Sequence, residues 1–248
     1  MAKASGLGDN LYVGGYDLSG DIGSLGKIQG GQKPIDVTGI NKLAHERLGG
    51  VRDGSMSWSA FFNTAVGHAQ PVLSALPTAD VVATYCRGTT LGDPCASLVA
   101  KQLNYDGNRT PAGDFTFAVD AEANAYGLEW GRQLTAGLRT DAAATNGTGI
   151  DTTASLSFGA QAYLQVTAFT GTDVTVKIQD SADNVTFADV TGLTFTQVTA
   201  APFTQRLATA NTATIRQYLR AVTVTTGGVT SVTFAVHVTK NDTAGVTF

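Results

Sequence analysis

The histidines, cysteines and clustered carboxylates are the side chains with which this sequence could do chemistry. There are three histidines. His45 lies in Ala44-His45-Glu46-Arg47, where sequence neighbours point away from one another on a helix. His68 stands at the start of a short helical pattern, and the alternation around His237 points it outward from a strand. None belongs to an HExxH pattern, and neither a nucleophile elbow nor a glycine-rich phosphate loop occurs. Asp120, Glu122 and Glu129 are the nearest thing to a glycosidase-type carboxylate pair. Their small neighbours and the missing sugar-stacking cleft favour a solvated strand face instead. Asp180-Ser181-Ala182-Asp183-Asn184 has the look of a calcium loop, but it lacks the glycine and distal glutamate of an EF-hand and reads as a β-turn. Cys86 and Cys95 flank the turn-rich run Gly88–Pro94. A hairpin there would bring them together, although two reduced thiols of a cytoplasmically made chain are the simpler reading. Two cysteines alone make no zinc site. Gly14-Gly15, Gly30-Gly31 and Gly49-Gly50 read as turn glycines, since no strand–glycine–helix context surrounds them. No catalytic residues, metal ligands or cofactor sites emerge, and the expectation is a chain that is not an enzyme.

The elements that would have positioned such chemistry read as strands. The chain has 248 residues, enough for one large all-β domain or two smaller ones. Charged residues make up 15%, well below the ~25% usual in soluble domains. Gly reaches 29 residues, and Thr is dense in the second half. The net charge of −4 and the absence of any Lys/Arg cluster argue against a nucleic-acid footprint. The N-terminus has no apolar stretch of the secretory kind, and nothing approaches the ~18 apolar residues of a membrane span.

Residues 1–35 are Gly-rich with scattered apolar side chains and read as an extended arm. Thr38 followed by Ile40, Leu43, Ala44 and Arg47 predicts a short helix stopped at Gly49-Gly50. Ser55–Asn63 alternates, with serines on one face and Met56, Trp58, Ala60 and Phe62 on the other. A second short helix fits Ala69–Leu76. Strands fit Asp80–Arg87 and Ser97–Tyr105. After the polar loop Asp106–Gly113, the returning strand Asp114–Glu122 places Phe115, Phe117, Val119 and Ala121 on one side. Its other face, Asp114, Thr116, Ala118, Asp120 and Glu122, is acidic. Trp58 and Trp130 read as core or interface residues. The small, polar run 141–154 reads as a linker. Beyond it, strands fit Tyr163–Phe169, Val174–Gln179, Thr186–Val190, Leu193–Val198, Phe203–Ala208, Ile215–Val224 and Val229–Lys240. That spacing predicts a β-sandwich, Ig-like or jelly-roll, over 155–248.

Ile35-Asp36-Val37-Thr38, then Gly54-Ser55-Met56-Ser57-Trp58-Ser59-Ala60-Phe61-Phe62, Leu103-Asn104-Tyr105-Asp106 and Ala123–Gly137 together resemble the siphophage major tail proteins over roughly residues 10–140. The resemblance implies a tail-tube β-sandwich over 36–140 that forms a ring barrel. Six subunits would make a ring, and rings would stack around a lumen through which DNA passes without specific binding. It implies self-assembly and contacts with other tail proteins such as the terminator, tape measure and distal tail. It places the protein in the virion tail after assembly in the host cytoplasm. The 155–248 sandwich would sit outside the tube.

On this reading Ser55, Ser57, Ser59, Asp114, Asp120 and Glu122 line or approach the lumen, because a neutral or negative wall does not capture phosphates. Leu11, Tyr12, Val13, Ile22 and Leu25 belong to an arm that reaches an adjacent ring. The alternative is a capsid decoration or minor tail protein whose C-terminal sandwich binds host-surface glycan. Tyr163, Phe187 and Tyr218 are its available rings, most of them expected in the core.

Overall fold

A computed structural model describes residues 5–76 and 79–244. The N-terminal half carries β1 (Asn10–Val13), β2 (Tyr16–Asp17), β3 (Ile22–Asp36), β4 (Arg47–Phe61), α1 (Ala69–Leu73), β5 (Val81–Cys86), β6 (Pro94–Gln102), β7 (Asp106–Arg109), β8 (Phe115–Ala123) and β9 (Glu129–Gln133). The C-terminal half adds β10 (Arg139–Asp141), β11 (Ile150–Asp151), β12 (Ala160–Gly171), β13 (Thr175–Ser181), β14 (Ala188–Thr194), β15 (Phe203–Ala208), β16 (Tyr218–Val224) and β17 (Val229–Lys240). The fold is all-β, in two antiparallel sheets, and among the described residues no closed barrel forms within one chain.

The larger sheet has 13 strands and runs β15-β12-β17-β9-β6-β5-β1-β2. It forks at β6. That strand pairs with β5 along its length, while on its other side Pro94–Ser97 bind β9 and Ala100–Gln102 bind β8. From the fork the branch β8-β4-β3 folds back over β5 and β6, closing a sandwich around Leu11, Leu18, Met56, Trp58, Leu73, Leu98, Val119 and Leu128. The second core lies between β12/β15/β17 and the four-stranded sheet β11-β16-β13-β14. Leu164, Val176, Ile178, Phe195, Leu219, Phe234 and Val236 fill it. Each such side chain contributes about 1.5–3 kcal/mol by leaving water.

Several local expectations are corrected. Thr38–Arg47 is not a helix. Asp36 Oδ1 accepts the Thr38 N–H and hydroxyl, and the Thr38 Oγ1 accepts the Glu46 N–H, which makes the segment a hairpin loop. Ile40 and Leu43 are fully exposed, so a short helix there would have no surface to pack on and would not be stable alone. Gly30-Gly31 and Gly49-Gly50 lie within β3 and β4 rather than in turns. Gly30 faces Gly54 across the ladder, and a Cβ on either would press into Leu128, so the pair lets the 126–128 loop cross the hairpin.

The run 141–154 is tied down along its length. Thr145 and Thr223 exchange backbone bonds, Asp141 accepts the Thr223 hydroxyl at 2.8 Å, and β11 pairs with β16. His237 does not face solvent: it is 1% exposed. Val232, Phe234, Val236 and Val238 fill the C-terminal core, as their alternation required. The opposite face of β17 packs on the N-terminal half, so both faces are covered. Glu129 is likewise buried rather than solvated.

Candidate assembly surfaces

Four features bear on what this molecule can do. Two are finished within the chain and two are not.

The first is the seam between the halves, a buried polar network. Arg206 on β15 meets Glu129 on β9 at 3.1 Å, and both side chains are nearly inaccessible. The Tyr163 hydroxyl donates to Glu129 Oε2 at 2.6 Å and accepts from Arg206 Nε at 3.0 Å. The Arg206 guanidinium lies over the Tyr126 ring, 3.8 Å from its centre. Burial, then the Glu129 carboxylate, drives the Tyr163 pKa upward. Burial works against the charge on Arg206, but Tyr163 and Glu129 outweigh it and raise its pKa. His237 Nδ1 shares a hydrogen bond of 2.6 Å with Ser97 Oγ, which in turn meets Thr84 Oγ1 at 2.9 Å. Burial lowers the His237 pKa to about 3 and keeps the ring neutral. Gln165 completes the seam. Its amide donates to the Val82 carbonyl and Thr84, and its Oε1 accepts the Gly15 N–H.

The seam also depends on Gly131. A Cβ there would strike the Val238 carbonyl and the His237 ring, so β9 can sit between β6 and β17 only with glycine at this position.

The second finished feature is the polar N-terminus of α1. Asp21 accepts Asn63 Nδ2, the Ala69 N–H and the His68 ring, each within 3.0 Å. Burial opposes ionisation, but these bonds, Asn63 first, hold the Asp21 pKa below its ordinary value. His68 is therefore a capping partner here. Among the described residues no group of three or more His, Cys, Asp or Glu is placed to hold a metal.

The unfinished features lie on the β3–β4 hairpin. Pairing runs from Ile22↔Ala60 to Asp36↔Arg47, a ribbon about 45–50 Å long. Beyond Gly30 and Gly54 it stands clear of the body, and its distal part is exposed throughout apart from a few partly covered positions. Ile35, Val37, Ile40, Leu43, Leu48 and Val51 are all exposed there. At the other end of the same ribbon Phe61, Phe62, Val66 and Phe115 are also exposed. Phe62 and Phe115 rings are 5.0 Å apart, and Phe117 stacks on Tyr105 at 4.2 Å beneath them.

The residues expected on a lumen face fall into two places. Ser55, Ser57 and Ser59 on β4 stand opposite Glu122, Asp120 and Ala118 on β8, and opposite Gln29, Lys27 and Ser24 on β3. They share the side turned away from the core that Met56, Trp58 and Ala60 fill, but Ser55 is buried and Ser57 and Ser59 are half-buried. Asp114 lies apart, at the β7–β8 turn, where it accepts the Thr110 hydroxyl at 3.0 Å. The face is mixed rather than purely acidic, since Lys27 adjoins Ser57 and Lys101 adjoins Glu122. Sequence alternation found the face; it could not show that β3 and β6 bring lysines to it.

The five expected arm residues close their own chain's core. β1 pairs with β5 in register Leu11↔Tyr85 and Val13↔Ala83, which buries Leu11, Tyr12 and Val13. Ile22 and Leu25 pack partly buried against the same core. The part that projects is the β3–β4 hairpin, whose residues span the expected arm, the expected helix and the expected strand. Tyr163 is fully buried and offers no sugar platform, while Phe187, with the Arg220 guanidinium 4.1 Å from its centre, and Tyr218 are half-buried. Trp130 is half-exposed, edge-on to Tyr85.

No known family matches the chain, and no curated protein does. Solved structures do resemble it. A chain of a native gene transfer agent virion is 12% identical with a TM-score of 0.40, covering 50% of this chain and 97% of its own. A chain from the tail of an empty gene transfer agent particle with C6 symmetry is 14% identical with a TM-score of 0.39, over 51% and 97%. The Dit protein of SPP1, a hub of the adsorption apparatus in phages infecting Gram-positive bacteria, is 10% identical with a TM-score of 0.35, over 94% and 99%.

Proposed function

We propose that this chain is a structural subunit of a phage-type tail that closes into rings around a lumen, with the tail tube as its place. One observation carries the reading: a projecting hairpin with exposed apolar side chains at both of its ends. A contact in which the tip (Ile35–Val51) of one copy seats on the aromatic end (Phe61, Phe62, Val66, Phe115) of the next uses different surfaces on the two partners. Such a contact repeats along an axis instead of closing a dimer. Burying one Ile or Leu at that contact contributes up to about 1.5–3 kcal/mol.

The lateral contact follows from the strand edges. Among the described residues β3 pairs only with β4, and β7 only with β8. Joining the β3 edge of one copy to the β7 side of the next would extend β3-β4-β8-β7 around a ring and remove both edges, which otherwise invite uncontrolled pairing. The serine-rich face with Asp120 and Glu122 then becomes the lumen wall, with Asp114 at its rim. A wall without a net basic field lacks the counterion-release affinity that would hold DNA in place. The C-terminal half, locked to its partner by the seam, rides outside the ring as a rigid part of the subunit.

Negative-stain electron microscopy and sedimentation of the purified chain at rising concentration test the reading. Stacked rings with a central hole support a tube subunit. Rings that form and stop at one or two layers point to a hub of the tail tip. A chain that remains monomeric at every concentration overturns ring formation as a property of this chain.

A further inference from the structure

Cys86 and Cys95 serve none of the contacts above. They are direct cross-strand partners on β5 and β6, and both are buried. The neighbouring pair shows which kind of site they occupy. Arg87 N–H donates to the Pro94 carbonyl at 3.0 Å, so 87 and 94 form a hydrogen-bonded pair. The preceding pair, 86 and 95, is then non-hydrogen-bonded, the register in which opposed Cα atoms approach to about 4.5 Å and side chains lie closest. That separation lies within the range a disulfide spans, about 4.4–6.8 Å. The thiols are already in contact with each other, and Tyr12 and Ala235 close over them. Cys86 also pairs with Asn10 on β1, and Cys95 with Gly131 on β9. A bond between them would fasten the middle of the larger sheet beside the seam.

We propose that Cys86 and Cys95 are an oxidative modification site that closes to a cross-strand disulfide within one chain. A hydroperoxide supplies the oxidising equivalents. One thiol sulfur takes an oxygen as the O–O bond breaks, giving a sulfenic acid and releasing water or an alcohol. The second sulfur attacks the first, the S–S bond forms, and the sulfenic oxygen leaves as water with the remaining thiol proton. The balance is two thiols and one hydroperoxide to one disulfide, one alcohol and one water. Both sulfurs are sheltered, so the step proceeds slowly through local opening, and neither sulfur reaches a second molecule. On the tail reading the bond would form after the particle leaves the reducing cytoplasm, but the site itself does not depend on that reading.

The test uses the purified full chain with hydrogen peroxide, followed by unfolding in guanidinium with an alkylating agent and intact-mass measurement. The expected product has lost the mass of two hydrogens, takes up no alkyl group and runs as a monomer on a non-reducing gel. Its thermal midpoint rises by about 5–10 °C, and reductant reverses the rise. Cys95→Ser treated in the same way keeps one thiol that alkylates after unfolding. Two alkylated thiols in the wild-type chain after prolonged oxidation, a sulfinic product, or a disulfide between two chains would each overturn the proposal. Ring formation is read in separate samples by microscopy, so failure of the disulfide and failure of the tail reading are distinct results.

Discussion

The seam between the halves and the β3–β4 hairpin lie in one continuous sheet, yet they treat their side chains in opposite ways. At the seam nearly every polar group has a partner inside the chain: Arg206 with Glu129 and Tyr163, His237 with Ser97, Gln165 with Val82, Thr84 and Gly15. Gln161, whose buried amide has no protein partner, is the exception. On the hairpin beyond Gly30 and Gly54 the apolar groups lack partners, with Ile40 and Leu43 wholly exposed. A buried polar network that is satisfied specifies one arrangement and is costly to disturb. A contiguous exposed apolar surface marks a contact still to be made. The contrast separates what this chain needs in order to fold from what it offers to other molecules.

The largest effect on folding should come from breaking the buried ion pair. Arg206→Met leaves Glu129 inaccessible and unpaired and should cost about 3–5 kcal/mol in urea unfolding. Adding Glu129→Leu should recover much of that loss, because it removes the stranded charge.

Acid should act at the same seam. The folded His237 pKa is depressed to about 3, against the unfolded value near 6.5. Above the unfolded value neither state is protonated and its contribution is intact. As pH falls from about 6.5 toward 3 the unfolded chain takes up a proton that the folded chain refuses, and stability drops by up to ~1.4 kcal/mol per pH unit. His237→Gln should flatten that part of the pH–stability curve, measured against the wild type in the same buffers.

At the hairpin the ranking reverses between folding and assembly. Ile40→Ser with Leu43→Ser should move stability by no more than about 0.5 kcal/mol, because neither side chain touches its own core. The same variant should prevent stacking in microscopy and sedimentation. Stacks of normal length from this variant would remove the tip from the contact.

Much of the C-terminal half was legible in the sequence. Phe203–Ala208 and Val229–Lys240 are strands with the bounds read from the sequence, and the Val232, Phe234, Val236 and Val238 side of the latter fills the C-terminal core. The serine face of β4 was legible in the same way. What alternation could not show was the second covering of β17. His237 and Glu129 read as solvated because the surface that buries them comes from the other half of the chain, more than a hundred residues away for His237 and Ser97. The hairpin was hidden differently. Its glycines read as turn residues, and Ile40 and Leu43 fit a helical spacing, but a helix needs something to pack against and the tip has nothing in its own chain. The arm assignment failed on register: Leu11–Val13 pair with β5, a partner some seventy residues distant that local pattern does not name.

A photo-crosslinking residue placed at position 40 in the assembled protein tests the central claim most directly. The account predicts crosslinks from the tip of one copy to residues 61–66 or 115 of another, lost when assembly is prevented. Crosslinks confined to the same chain, or directed to the C-terminal half of a neighbour, would contradict it.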